Sequence, residues 1–209
     1  MNNNKLIGAL AVLVIVVCVG RFVYKQFGGR TKVDVQPFAT LGSLVAEETS
    51  KLLPAKGTVV VISVDTAKYH IPTLDTLLEA FTKGVKKKRD ITVSSVEHLR
   101  IPPTTFMALS SGSLVPPAGQ FAPGQFQKIV QNNSSADAIV SFVGLPSSLG
   151  NGGELQQKHP KIVVVSYRDP DLENLLRSHV IDLAIVPRVE PSSGKDSKNS
   201  LYEILSSDK

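Results

Sequence analysis

The last third of the chain contains three short apolar runs that are rich in β-branched residues: Ala138 to Val143, Ile162 to Tyr167 and Leu183 to Pro187. None of them alternates strictly between polar and apolar residues, which is typical of parallel strands covered on both faces. Between the second and third runs, four apolar residues recur at helical spacing: Leu172, Leu175, Leu176 and Val180. The sequence therefore predicts a βαβ unit in this region.

The same order of elements occurs earlier in the chain. Thr58 to Val64 and Ile91 to Val96 are strand-like runs, and Thr73 to Lys88 between them has an apolar helical face. Leu41 to Leu53 predicts an amphipathic helix that Pro54 ends, and Gly124 to Gln131 predicts another. Together these segments predict an α/β domain over residues 41–190, with an open, mostly parallel, five-stranded doubly wound sheet of Rossmann-like architecture.

A nearly unbroken apolar stretch, Leu6 to Tyr24, precedes this domain and is interrupted only by Arg21. Its length suits a single membrane span, and no small-x-small cleavage site follows it, so residues 1–26 are predicted to be a transmembrane anchor or an uncleaved signal. A cleaved signal peptide is the alternative, because the uncharged part, Leu6 to Gly20, would suit one. Basic residues on its C-terminal side outnumber those before it, and this bias favours a cytoplasmic domain. The orientation stays open on charge alone.

The charge and cysteine content exclude several classes of function. The chain has 209 residues and a net charge of +5, but four of its 23 basic residues flank the apolar N-terminal stretch. The remaining 19 face 18 acidic residues, so nucleic-acid binding, which needs clustered Lys and Arg, is not predicted. The basic run Lys86 to Arg89 is read as a helix end, with a contact patch as the alternative. Cys18 is the only cysteine, so no disulfide or cysteine metal cluster is expected.

Three segments carry no clear periodicity. Residues 27–40 are predicted to be a linker, and residues 191–209 a disordered polar tail in which Leu201 to Leu205 could form one docking turn. Residues 99–123 contain several prolines and glycines, which predicts a long exposed loop. Such a loop is either packed by its own apolar residues or a contact surface for a partner.

Ligands of parallel α/β sheets bind beyond the carboxyl ends of the strands. Nine polar residues at these ends form the predicted ligand-binding set: Asp65, Thr66, Tyr69, Glu97, Ser147, Tyr167, Arg168, Asp169 and Arg188. Arg168 is the strongest candidate for holding an anion, because it would lie at a strand end near a helix N-terminus.

Enzymatic and cofactor motifs are not found. There is no G-x-G-x-x-G, no G-x-x-x-x-G-K-[ST] and no G-x-S-x-G in the sequence, so no nucleotide cofactor and no hydrolase nucleophile are predicted. The four histidines show no metal-ligand spacing. Asp65 with His70 could form an acid/base pair, but no nucleophile stands beside them. The sequence predicts no catalytic residues and no metal.

The order GTVVVISVD, LLEAFTKGVKK, ITVSSVE, FQKIVQNNSSADAIVSF and KIVVVSYRDPDLENLLRSHVIDLAIVPR resembles the C-terminal lobe of type I, sugar-type periplasmic solute-binding proteins of ABC transporters. The resemblance covers Ala46 to Arg188. It implies a periplasmic-binding-protein-like lobe, a small polar ligand and a periplasmic domain. Together with the apolar stretch Leu6 to Tyr24, read as a single span, this predicts a bacterial inner-membrane protein. The second lobe of that family has no counterpart, because the residues before Leu41 are too few.

Three sugar contacts of that family are replaced, and this argues against monosaccharide binding of the family's kind. The family's arginine at the start of the first helix corresponds to Leu77, its Asn-Asp pair after the third strand to Val143 and Gly144, and its aspartate after the fourth strand to Arg168. The sequence thus predicts a membrane-anchored, non-enzymatic solute-binding-like module that takes a small polar ligand or an envelope partner. A homodimer, a second lobe or a transport partner could complete the cleft. The alternatives are a structural or interaction protein with a vestigial cleft and, less favoured, a small α/β enzyme.

Overall fold

The computed structural model describes residues 34–54, 56–65, 71–88, 90–99, 123–146, 159–166, 170–188 and 201–207. These ranges contain four helices and six strands. The helices are α1 (Gln36–Leu52), α2 (Pro72–Lys88), α3 (Pro123–Asn132) and α4 (Pro170–Arg177). The strands are β1 (Lys56–Val64), β2 (Asp90–Leu99), β3 (Ala138–Ser141), β4 (Lys161–Val165), β5 (Leu183–Pro187) and β6 (Tyr202–Ser206).

The strands form one sheet in the order β2-β1-β3-β4-β5-β6. β2, β1, β3, β4 and β5 are parallel to their neighbours, and β6 pairs antiparallel with β5. The predicted α/β class with a mostly parallel sheet is confirmed. The predicted number of five strands is wrong, because β6 adds a sixth.

Both faces of the central strands β1, β3, β4 and β5 are largely buried, as the apolar runs predict. Alternate residues of the strands pack on one face against α1 and α2, where the Phe81 and Phe142 rings meet edge to face with centroids 5.3 Å apart. The other residues pack against α3 and α4 and against the first turn of α2. A strand that contributes to two cores has no polar face, and this explains why the runs do not alternate.

Helix α1 begins earlier than the sequence predicts. Residues 36–40, which the predicted linker 27–40 includes, form its first turn. Pro37 stands in that turn, where a missing N–H costs nothing, and the Asp34 carboxylate accepts a hydrogen bond from the Gln36 amide at 3.0 Å. Phe38 is buried in the core. The glycine-poor end of the linker therefore belongs to the helix.

The sequence predicts a disordered tail over residues 191–209. This prediction is wrong for residues 202–206, which form β6. Pairing with β5 satisfies the backbone of this edge strand. Tyr202 is buried beside α1, and its hydroxyl lies 3.4 Å from the Pro37 carbonyl oxygen to which it donates. The predicted docking turn over Leu201 to Leu205 is thus a strand that covers the sheet edge.

Because the Tyr202 side chain is buried, we expect the free energy of unfolding to fall at high pH. Burial raises the pKa of Tyr202 to about 12, whereas a tyrosine in an unfolded chain titrates near pH 10. Between these values the unfolded state releases the phenolic proton and the folded state retains it, so stability falls as pH rises from about 10 to 12. We expect a loss of about 1–2 kcal/mol over this interval in urea unfolding. Tyr202→Phe should remove this part of the slope, and an unchanged slope would contradict the assignment.

Two aspartates link neighbouring strands at the amino edge of the sheet. Asp137 precedes β3, and its carboxylate accepts hydrogen bonds from the Thr58 amide at 2.7 Å and the Thr58 hydroxyl at 3.1 Å. Asp182 precedes β5, and its carboxylate accepts a bond from the Ile162 amide at 2.8 Å and from Lys161 Nζ at 2.5 Å. Asp182 is buried, whereas Asp137 is exposed. Both side chains fix the start of an adjacent strand.

The C-terminus of α4 is a Schellman motif with histidine in the position that glycine usually occupies. The Val180 amide donates to the Leu175 carbonyl at 3.0 Å and the His179 amide to the Leu176 carbonyl at 3.1 Å. His179 has φ +55°, in the left-handed region that a side chain disfavours. His179→Gly should therefore stabilise the fold by about 0.5–1 kcal/mol in urea unfolding. A destabilised variant would contradict this reading.

The predicted anchor, Leu6 to Tyr24, lies outside the described residues, as do residues 100–122 of the predicted loop. In the part of the chain that the structure describes, no helix is both long enough and apolar enough to cross a membrane.

Candidate functional site

The carboxyl ends of the parallel strands form the candidate site. The strand order reverses direction at β1, since β2 lies on one side of it and β3 on the other. Chain connections leave the sheet on opposite faces at such a switch point, and a crevice opens there. The β1 and β3 ends are therefore the part of the sheet edge best placed to receive a ligand.

Asp65 stands at the end of β1. Its amide donates to the Leu99 carbonyl oxygen at 3.3 Å, so β1 and β2 end together. Glu97 is not beyond the second strand, as predicted, but within it, because β2 continues to Leu99. The Glu97 carboxylate accepts a bond from the Ser95 hydroxyl at 3.4 Å. This corrects its assignment: Glu97 lies along the edge strand and not in the turn after it.

The turn after β3 is closed and largely apolar. The Ser141 hydroxyl donates to the Gly144 carbonyl at 2.7 Å, and Gly144 has φ +73°. Phe142, Val143 and Leu145 are buried. Glycine permits the left-handed conformation that lets the chain turn back on the hydroxyl. The Ser141 hydroxyl and the Gly144 carbonyl thus bond to each other.

Ser166 ends β4 beside that turn. It is buried, and its amide donates to the Ile185 carbonyl at 3.1 Å. A Cβ placed on Gly144 would lie 3.6 Å from the Ser166 hydroxyl oxygen and 3.8 Å from the Val165 carbonyl. The backbone of Gly144 therefore approaches the end of β4 closely.

Sequence reasoning missed Ser141 and Ser166 as site residues. The available signal was a serine near the carboxyl end of successive apolar runs, in VISVD, AIVSF and VVVSY. The first of these, Ser63, is buried, and its hydroxyl has no hydrogen-bond partner among the described residues. By strand alternation Ser63 faces the α1 and α2 layer, whereas Ser141 and Ser166 face the α3 and α4 layer. The three hydroxyls therefore do not converge on one point.

Arg188 directly follows β5. Its side chain is exposed, and its amide donates to the Leu201 carbonyl at 2.9 Å. β3 and β4 separate β5 from β1, so Arg188 lies on the order of 14 Å from Asp65 across three strand spacings. The structure places both residues at the predicted edge but does not bring them together.

The other six predicted ligand-binding residues lie outside the described residues: Thr66, Tyr69, Ser147, Tyr167, Arg168 and Asp169. Their assignment stays a prediction from sequence. Within the described ranges, no three side chains from His, Cys, Asp and Glu are grouped so that they could hold a metal ion.

Comparison with known proteins gives matches only among solved structures. No protein-family model matches the sequence, and no curated protein matches it. AraP, an arabinose-binding protein from Geobacillus stearothermophilus, is similar over 82% of this chain and 61% of its own, with 14% identity and a TM-score of 0.52. An ABC-transporter solute-binding protein from Burkholderia graminis C4D1M, in complex with D-arabinose, is similar over 81% of this chain and 60% of its own, with 14% identity and a TM-score of 0.51.

The chain thus spans about three fifths of the length of these two proteins. Identity at this level establishes a shared fold only. The topology, the buried parallel sheet and both superpositions agree with the resemblance seen in the sequence. The chain has the fold of one lobe of a sugar-type periplasmic solute-binding protein.

Proposed function

We propose that this protein is a non-enzymatic binding module that takes a small polar ligand at the carboxyl edge of its sheet. The observation that carries the proposal is the shared fold with AraP and with the D-arabinose-bound protein from Burkholderia graminis. Because fold alone does not fix function, the proposal also depends on the chemistry at the strand ends.

The carboxyl edge supports binding of a hydroxylated or charged solute in two ways. Asp65 supplies a carboxylate at the switch point, and Arg188 supplies a guanidinium at the far end of the parallel strands. Hydrogen bonds to such charged groups are stronger than neutral ones. The sequence adds Arg168 and Asp169 between these ends, so an anionic or sugar-like ligand has partners of both signs.

We further propose that residues 6–24 tether the module to the bacterial inner membrane and that the domain is periplasmic. The apolar length of that stretch supports the tether, and the similarity to solute-binding proteins supports the location. The described residues form one lobe, and we propose that a partner or a second copy covers the ligand from the other side. Topology mapping with reporters fused after Lys209 tests the orientation, and a cytoplasmic C-terminus would contradict it.

A melting screen of the full chain in detergent micelles tests ligand binding. We expect a dose-dependent rise in the melting temperature with D-arabinose, another pentose or hexose, or a small anion. A ligand at a hundredfold excess over its Kd adds about 2.7 kcal/mol, which corresponds to a rise of about 5–10 °C for a domain of this size.

The matched variants are Asp65→Asn and Arg168→Ala at the proposed site and Asp90→Asn at the opposite edge. The first two should abolish the rise, and Asp90→Asn, in an exposed position at the start of β2, should retain it. A flat screen, or a rise that the site variants leave unchanged, would contradict the proposal.

One observation favours a second candidate function, an interaction protein with a vestigial cleft. Residues 142–146, the described part of the turn after β3, are apolar and buried, and the hydroxyl of the preceding Ser141 is bonded to Gly144. A turn of this kind presents few polar groups to a solute. A flat melting screen, together with a membrane-protein partner captured through the full chain, would support this candidate instead.

A further inference from the structure

Strand β2 lies at one edge of the sheet that the described residues form, and no described strand pairs with its outer side. It is ten residues long, and in the part of the chain that the structure describes it hydrogen-bonds to β1 alone. Alternate side chains along it are exposed: Asp90, Thr92, Ser94, Val96 and His98. A long edge strand of this kind can pair with another strand, and the side chains along it determine which strand fits.

Strand β2 contains a β-bulge at Ser94, where its pairing register with β1 shifts by one residue. Val93 pairs with Val59 and Val96 with Val61, so the extra residue Ser94 puts the two β2 valines on the same face of the sheet. In a regular strand, residues three apart lie on opposite faces. Val96 is 39% exposed on that face.

The sequence around the bulge reads nearly the same in both directions, as TVSSVE. In an antiparallel pair centred between Ser94 and Ser95, each Val93 stands opposite the Val96 of the other strand. A two-fold axis perpendicular to a sheet keeps each side chain on its own face, which the bulge makes possible here. The two strands then form two valine pairs around a central pair of serines.

The charges along β2 also fit a second copy of itself. In the same register Glu97 stands opposite Thr92, whose hydroxyl can donate to the carboxylate, and His98 stands opposite Ile91. No two like charges face each other, and such facing would destabilise the pair. We propose that β2 pairs antiparallel with β2 of a second copy, which joins two six-stranded sheets into one across a two-fold axis. This inference does not depend on ligand binding.

Cysteine cross-linking of the full chain tests the register. Two differently tagged chains, one with Val93→Cys and one with Val96→Cys, are mixed in a Cys18→Ser background and oxidised mildly. Opposite residues have Cα atoms about 4.5–5.5 Å apart, within disulfide reach, whereas two copies of the same variant place theirs about 8 Å apart. The mixture should cross-link at least about tenfold faster than either variant alone.

A like-charge pair introduced into this register gives a second test of the proposal. Thr92→Glu is added to both the Val93→Cys and the Val96→Cys chain. Each new carboxylate then stands opposite Glu97 of the other copy, so two like-charge pairs form and the cross-linking rate should fall about tenfold. Gln125→Glu, which adds the same charge on exposed α3, should leave the rate unchanged. If Val93→Cys fails to fold, Ser94→Cys mixed with Ser95→Cys tests the central pair.

Equal rates in the mixture and in the single variants would overturn the proposal, as would no cross-link at all. The absence of any cross-link is expected if β2 pairs with a different protein instead. It is also expected if the bulge and Glu97 keep β2 from pairing at all.

Discussion

Gly42→Ala is expected to lower the free energy of unfolding by about 3 kcal/mol, because helices α1 and α2 touch at this residue. A Cβ on Gly42 would lie 2.3 Å from the Leu77 carbonyl oxygen and 3.0 Å from the Ala80 Cβ. The first of these atoms belongs to the backbone, so a side-chain rotation cannot relieve the overlap. Helices α1 and α2 would have to move apart, and this would disturb the packing of the core that they form with β1.

Urea unfolding of the full chain in detergent, followed by circular dichroism, measures this effect. The matched control is Gly124→Ala, since a Cβ there meets nothing within 4 Å and alanine favours a helix over glycine. Gly124→Ala should be neutral or slightly stabilising. If Gly42→Ala also changed stability by less than about 0.5 kcal/mol, the close approach of α1 and α2 would be wrong.

Asp182→Ala is expected to cost about 2–3 kcal/mol. The substitution removes the acceptor for the buried Ile162 amide, which is 2.8 Å from the carboxylate, and it also removes the contact with Lys161. An amide left buried without a partner loses its hydration and gains nothing in return. Nearly all of the expected cost arises from that amide, because the Lys161 side chain is half exposed and exposed ion pairs contribute little.

Two variants separate these contributions in the same unfolding measurement. Asp182→Asn keeps an oxygen acceptor for the amide and should cost about 1 kcal/mol, and Lys161→Met should cost less than that. Asp137→Ala removes the equivalent bond to Thr58 in an exposed position, where water can replace it, so about 1 kcal/mol is expected. A cost for Asp182→Ala no larger than that for Lys161→Met would contradict the role assigned to the carboxylate.

The parallel core could be predicted from sequence because its central strands, β1, β3, β4 and β5, are largely buried on both faces. Runs such as Thr58 to Val64 and Leu183 to Pro187 contain enough β-branched residues to specify strands without any alternation. The helices between them have apolar faces at the helical period. Such local patterns do not depend on distant contacts, so the class and order of the elements followed from them.

Elements that depend on tertiary contacts could not be predicted in the same way. Residues 36–40 read as a linker, yet Phe38 in the core turns them into the start of α1. Tyr202 and Glu203 read as part of a polar tail, and only pairing with β5 makes them a strand. Glu97 was predicted to follow β2, although the strand continues to Leu99. The bulge at Ser94 interrupts the alternation of side chains between the two faces, so the sequence pattern did not reveal the last residues of the strand.

The candidate site was predictable in position but not in arrangement. Parallel strands fix which residues lie at their carboxyl ends, so the sequence placed Asp65 and Arg188 at that edge, and ligand binding there stays a prediction. Their separation depends on the strand order, which puts β3 and β4 between them, and no local pattern encodes that order. The bond from Ser141 to Gly144 likewise requires a left-handed turn that a single glycine does not identify.

The most direct test of the central claim is to locate the bound ligand by NMR on the full ¹⁵N-labelled chain in micelles. D-arabinose is titrated first, followed by whichever solute raises the melting temperature most. The account predicts amide shifts at the carboxyl edge, at Asp65, Gly144 and Ser166, and none at Thr58 or Ile162 on the amino edge. Shifts confined to the amino edge, or no shifts with any of these solutes, would contradict a ligand-binding role for this lobe.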